Sequence, residues 1–433
     1  MPDEELPPEE VEETSPKHPE ESLSQSSLTE GLPVAAGLSA ALESANVPRQ
    51  PTLVNRRTLI VSLLAIFIGI ASGYISLFLK ALIGLITNLV FYGRISFTMI
   101  TPFDNHLGLW VIVVPVIGGV LIGLMARYGD KGIRGHGMPE AIEGVVANES
   151  RMHARLTFLK PLSAAIAIGT GGPFGAEGPI IATGAALGSM VGQIVRTTAM
   201  ERKTLLAAGA AGGMAATFGS PVAAVLLAME LLLFEFRPRS IIPVALACTA
   251  ATAVRFAHVG MQPIFGFPDA TQPTYGALIF YVAVGALVGT AGVLATKALY
   301  WMEEQYARLP IHWMWWPAIG GVAIGVVGYF APRTLGVGYD NISGVLSGSI
   351  FGLAALSLAV MKLISWTISL ASGTSGGTIA PLFIIGGAFG SVLGAVGNNI
   401  FPMAHIDMRI AALVGMAAIF AGASRAMLTA VVF

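Results

Sequence analysis

Between Pro161 and Val195 the only ionisable side chain is Glu177, in the stretch GTGGPFGAEGPIIATGAALGS from Gly169 to Ser189. A carboxylate in so apolar a segment is costly and is by default a functional group. Gly171, Gly172, Pro173, Gly175, Gly178 and Pro179 break the helix around it. Pro179 has no N–H and a preset φ, which suits a helical first turn, so IIATGAALGSMVGQIV is expected to be that helix. Free N–H groups and the positive end of the dipole would then point into the protein at bilayer depth, where they can hold an anion. The competing reading is a glycine-rich packing kink around a buried, protonated glutamate. Two other stretches have the same grammar. GHGMPEAIEGV (Gly135 to Val145) puts two glycines and a proline ahead of a short helix whose first turn carries Glu140 and Glu143. ASGTSGGTIAPLFIIGGAFGS lies inside a segment, Ile364 to Ala404, that carries no charge.

Elements able to position these stretches must lie in lipid. Of the 433 residues 54% are hydrophobic and only 11% charged, against about 25% charged in a soluble domain. The 52 glycines suit close helix–helix approach in a membrane. A net charge of −1 gives no sign of nucleic-acid binding. The lone cysteine, Cys248, lies in an apolar helix and can form no disulfide within the chain.

Residues 1–55 are rich in Pro, Ser and Glu and are expected to form a disordered acidic tail without the basic start of a signal peptide. Arg56 and Arg57 precede a first span, Leu59 to Tyr92, broken only by Lys80; a second, Leu107 to Met125, leads to Arg127, Lys131 and Arg134. Two crossings bring both basic clusters to one side, which the positive-inside rule makes cytoplasmic, in the cell (inner) membrane. Further spans are expected near Leu156 to Ile168, Thr204 to Phe234 with a break at Gly219-Ser220-Pro221, Ile241 to Val254, Thr274 to Leu299 and Trp316 to Phe330. HWMWWP (His312 to Pro317) reads as an interfacial aromatic belt.

GPIIATGAALGS (Gly178 to Ser189) aligns with APLFIIGGAFGS (Ala380 to Ser391), and the same 202-residue offset lays GMAATF (Gly213 to Phe218) over GMAAIF (Gly415 to Phe420). The chain is therefore expected to be a duplication, with a first membrane repeat at 56–258 and a second at 259–433. The fold class is an all-α polytopic membrane protein, an inverted-repeat bundle of tilted and broken transmembrane helices. By that symmetry roughly 25–30 residues would follow Phe433.

GHGMP, GAEGP (Gly175 to Pro179) and GTIAP (Gly377 to Pro381) resemble, in order and spacing, the three anion-binding signatures of the CLC family of chloride channels and proton/chloride antiporters, usually written GSGIP, GREGP and GIFAP. The resemblance runs from about Arg56 to Phe433. It implies a homodimer with one anion pathway per subunit, and chloride or a similar small anion as cargo. It places Glu177 on the gating glutamate and His136, Gly137, Met138, Gly178, Thr378 and Ile379 on the anion-binding positions. His136 stands where the family has serine; a His there can donate to an anion or respond to pH, or it can turn away and cap a helix. Ala176 replaces an arginine and Ile379 a phenylalanine. Leu231 occupies the inner proton-transfer glutamate's position and cannot carry a proton. Glu230, one residue earlier, faces about 100° away on a helix and is expected to be a hydrogen-bonded structural carboxylate.

The missing inner glutamate slightly favours channel-like or weakly proton-coupled anion transport gated by Glu177, with proton/chloride antiport as the alternative. An intramembrane enzyme would need a His-Glu-x-x-His motif, paired aspartates or a Ser/His pair inside the bilayer, and no such spacing is found. No cofactor or metal is expected.

Overall fold

The computed structural model describes residues 56–267 and 272–433; the expected acidic tail lies outside the described residues. Fifteen α-helices are present among them, and seven are long and apolar enough to cross a membrane.

Helix α1 (Arg56–Tyr92) has 37 residues. At about 1.5 Å per residue it exceeds a ~30 Å hydrocarbon core, so it must tilt. Leu59, Leu63, Phe67, Tyr74 and Phe78 form an exposed apolar row, while Ala65, Ser72 and Ser76 on the other side are fully buried. Large residues outward and small ones inward is the pattern lipid demands, because helices in it associate by close contact rather than by hiding apolar surface. Helix α2 (Trp110–Tyr128) follows, then short α3 (Met138–Val146), α4 (Leu156–Gly169) and α5 (Glu177–Ile194).

Helix α6 (Ala199–Phe218) is started by Thr198, whose side chain accepts from the Glu201 amide while Glu201 accepts from the Thr198 amide, a reciprocal cap. It stops at Gly219 in the left-handed conformation (φ +69°), and Pro221 opens α7 (Pro221–Ala228). The expected break thus falls where the sequence places it. Helix α7 widens into a π-turn, Met229–Leu233, before α8 (Pro238–Val259).

The second half repeats this order: α9 (Tyr275–Ala307), α10 (Trp316–Phe330), α11 (Tyr339–Leu346), α12 (Gly352–Ala371), α13 (Ile379–Ile400), α14 (Met408–Ser424) and α15 (Met427–Val432). Helix α5 packs on α6 and α13 on α14, and α2 against α10 joins the halves. Helix α5 is buried along almost its whole length, and α13 is the most buried of the seven long apolar helices. At the α5–α6 crossing a Cβ on Gly184 would lie 2.1 Å from the Gly209 carbonyl oxygen, and one on Gly209 2.0 Å from that of Gly184. Neither position can carry a side chain without parting the helices.

Glu230, in the π-turn, accepts from the amides of Leu428 (2.8 Å) and Thr429 (2.9 Å) and from the Thr429 hydroxyl (2.6 Å). It thereby caps α15 from the other half of the chain, as a structural carboxylate. Glu230→Gln leaves one acceptor oxygen and no charge for these donors. The expected cost is about 1–2 kcal/mol, read as a lower thermal midpoint in detergent with anion flux per folded protein unchanged.

Candidate functional site: the meeting point of the broken helices

The three glycine- and proline-rich stretches, far apart in sequence, come together in the middle of the fold. Gly175 N–H donates to the Gly377 carbonyl at 3.0 Å and Gly377 N–H returns a bond to Gly175 at 2.8 Å. Gly376 N–H donates to Gly135 at 3.4 Å. These fragments of β-pairing take up backbone groups that irregular chain would otherwise leave unsatisfied in an apolar interior. Packing here excludes even a methyl group. A Cβ on Gly137, whose φ is +94°, would lie 2.0 Å from the Gly178 oxygen; one on Gly178 would lie 1.9 Å from the His136 oxygen and 2.8 Å from the Gly377 Cα. The N-termini of α3, α5 and α13 are thus held side by side.

Two buried lysines pin the loops. Lys160 on α4 donates to the carbonyls of Ile133 (3.0 Å) and Gly135 (3.1 Å). Lys362 on α12, its counterpart at the repeat's own offset, donates to Thr334 (2.9 Å) and Gly336 (2.8 Å). Both are fully buried. A buried ammonium must find acceptors for its three N–H groups, and loop carbonyls need donors, so each satisfies the other. The second loop is GVGYD (Gly336 to Asp340), which mirrors GHGMP: Gly135, Gly137, Gly336 and Gly338 all have positive φ. The sequence reading missed this fourth loop. The available signal was Lys160 and Lys362 themselves, matched at the repeat offset in two otherwise uncharged helices.

GVGYD brings in the site's other side chain. Glu177, the first residue of α5, is completely buried, and the Tyr339 hydroxyl donates to its Oε1 at 2.6 Å. Its Oε2 has no well-formed hydrogen bond and lies over Gly175, where a Cβ would overlap it. The amides of Ala380 and of Glu177 itself face the carboxylate, and so does the charge of Lys80 on α1. Lys80 is held by the Thr217 carbonyl at 3.1 Å. One carboxylate is therefore set against the N-termini of both α5 and α13, with a single side-chain hydrogen bond among the described residues fixing its rotamer. If it swings out, those amides and that dipole charge become available to a small anion.

Of the residues expected at the anion, Gly178, Thr378 and Ile379 lie in this junction: Thr378 is the cap of α13 and Ile379 its first residue, buried. Gly137 is in the junction too, yet its N–H donates to Glu140 Oε2 at 2.6 Å, so it is engaged by α3's own first turn. Met138 is half-buried and packs on the core. The His136 imidazole is directed at Glu303, with Nε2 3.8 Å from Oε1, while its Nδ1 is buried without a partner. The cap on α3 comes from Glu140 and not from His136. Leu231, in the π-turn, packs on the core.

The family model for voltage-gated chloride channels matches residues 118–433. The H(+)/Cl(-) exchange transporter ClcA of Vibrio campbellii is 29% identical over 377 residues, covering 82% of this chain and 80% of the relative. The chloride channel protein CLC-f of Arabidopsis thaliana is 29% identical over 348 residues, 74% of this chain and 43% of that longer protein. Among solved structures, a slow cyanobacterial Cl-/H+ antiporter superimposes with a TM-score of 0.76 at 21% identity, covering 88% of each chain. A CLC-type fluoride/proton antiporter does so with a TM-score of 0.72 at 22% identity, covering 86% of this chain and 89% of the other. Together with the three signatures and the convergence of their loops, the match over residues 118–433 makes this chain a membrane protein of the voltage-gated chloride channel (CLC) family.

Proposed function

We propose that this protein exchanges chloride for protons across the membrane, with Glu177 as the group that both cargoes displace or load. The observation that carries the reading is the buried Glu177 carboxylate set against the N-termini of α5 and α13 and bonded, among the described side chains, only by Tyr339. In this reading the carboxylate and the anion compete for the same amides. A protonated Glu177 gives up that attraction and moves aside, so anion passage and proton loading alternate at one place. Fixed partial charges suit this task, because a full cation at the same spot would hold the anion too tightly for release. His136, Gly137, Met138, Gly178, Thr378 and Ile379 line the anion's route in the same reading.

Exchange is preferred here to the uncoupled conduction that Leu231 favours, because the Vibrio relative is named as an H(+)/Cl(-) exchanger. Uncoupled conduction stays as the second reading on the strength of Leu231 alone. The same proposal includes a homodimer in the cell (inner) membrane, the N-terminal segment on the cytoplasmic side, and two repeats dividing near residue 258. Reconstitution into liposomes with chloride and pH electrodes recording together tests it: an imposed chloride gradient is expected to drive protons against their own gradient. Chloride movement without uphill protons would establish uncoupled conduction, and absence of both fluxes would overturn the anion pathway.

A further inference from the structure

With Leu231 in the position expected of a proton carrier and Glu230 bound to the cap of α15, neither residue can bring protons from the inner face to Glu177. A different pair lies on that face. Helices α1 and α2 each cross once, so the chain leaving α2, with Arg127, Lys131 and Arg134, is on the side where α1 begins. Glu303, near the end of α9, reaches that loop. Its side chain is 37% exposed, and its Oε1 is 3.8 Å from Nε2 of His136, which is 15% exposed. The other ring nitrogen of His136 is buried and has no hydrogen-bond partner among the described residues. The His136 backbone abuts Gly178, the neighbour of Glu177. From solvent inward the order is thus a wet carboxylate, an imidazole with one nitrogen free, and the gating carboxylate's own loop.

We propose that Glu303 and His136 form the inner proton port of this transporter, a part played elsewhere in the family by the residue that is leucine here. The inference rests on the exchange reading above. Glu303 takes a proton from water and passes it from its oxygen to Nε2 of His136. The imidazolium releases the proton on Nδ1 inward, toward Glu177, which leaves a neutral ring in the other tautomer; a ring flip resets it. A side-chain rotation or one bridging water closes the 3.8 Å gap. The other charges facing the pair are held in place. Lys160 and Glu140 face His136, Lys160 being bound to loop carbonyls and Glu140 to the Gly137 amide. Arg134 faces Glu303, with its guanidinium 4.8 Å from the Trp313 ring and 5.6 Å from that of Trp316. None of these three is free to shuttle, which leaves His136 and Glu303 as the mobile acid–base pair.

The test is the proton-to-chloride flux ratio of the full chain in liposomes for the wild type, Glu303→Gln, Glu303→Asp and His136→Ala. Glu303→Gln is expected to lower coupled proton movement at least tenfold while chloride flux stays within about threefold; His136→Ala, at a residue that also lines the anion route, is expected to lower the proton-to-chloride ratio at least tenfold whatever it does to chloride flux. Glu303→Asp is expected to retain most of the coupling, so a variant that merely disturbs α9 is told apart from one that lacks the carboxyl. An unchanged ratio in Glu303→Gln of a coupled wild type would overturn the port alone. Equal loss of both fluxes in Glu303→Gln and Glu303→Asp would also overturn it, by making Glu303 a structural residue. A wild type that moves no protons uphill would overturn the exchange reading and the port with it.

Discussion

Glu177→Gln is expected to abolish uphill proton movement while leaving a chloride pathway, and to remove the pH dependence of anion flux between pH 5 and 8. In the wild type the Glu177 carboxyl group sits against the amides that an anion is proposed to use, held by Tyr339 at 2.6 Å. As pH falls, protonation is expected to cancel the attraction between carboxylate and helix N-termini, the side chain to leave, and anion flux to rise. Glutamine has the same shape and cannot ionise, so it behaves at every pH as the protonated acid does. Flux in Glu177→Gln should therefore match the low-pH wild-type level throughout, and proton transport should fall at least tenfold, about 1.4 kcal/mol or more on the barrier scale. Ratio measurements with paired electrodes decide it. If Glu177→Gln keeps the wild-type pH profile, the carboxylate is not the gate.

Much of this site is legible in the sequence itself. Glu177 stood out because one ionisable residue in an apolar segment has few explanations. The breaks at Gly169 to Pro179 and at Gly219-Ser220-Pro221 followed from residues that cannot continue a helix. Boundaries were less well placed. Helix α5 begins at Glu177, two residues before Pro179, since proline is tolerated anywhere in the first turn, where its missing N–H costs nothing. Helix α9 runs on to Ala307, past the expected Leu299, because Glu303, Glu304 and Gln305 end the apolar run yet are good helix formers. What the sequence could not convey was contact between the halves. Tyr339 lies 162 residues from Glu177, at the start of the short helix α11, with no apolar pattern and no charge anomaly to mark it. Its partner becomes visible only when the two repeats are folded against each other. The same holds for His136: donating to an anion and capping a helix were both local readings, and neither could show that the imidazole also reaches across to Glu303 on α9.

Tyr339→Phe isolates that cross-repeat contact. The substitution keeps the ring and deletes one hydroxyl, so the packing against Phe265, 5.9 Å away between ring centroids, is preserved while Glu177 loses its only side-chain donor among the described residues. A hydrogen bond to a charged group contributes about 1.5–3 kcal/mol, and it exists only while the carboxylate occupies the site. Removing it therefore shifts the balance toward the displaced carboxylate by roughly tenfold or more. Anion flux at neutral pH is expected to rise by about that factor, and flux activation by acid should begin at a higher pH, since the ionised carboxylate has lost a partner that the protonated one needs less. In a Glu177→Gln background the same change should add almost nothing, because the hydroxyl acts through the carboxylate and the two effects cannot be additive. A fall in flux in Tyr339→Phe, present equally in both backgrounds, would instead make the hydroxyl a direct ligand of the passing anion and end its assignment as the latch on Glu177.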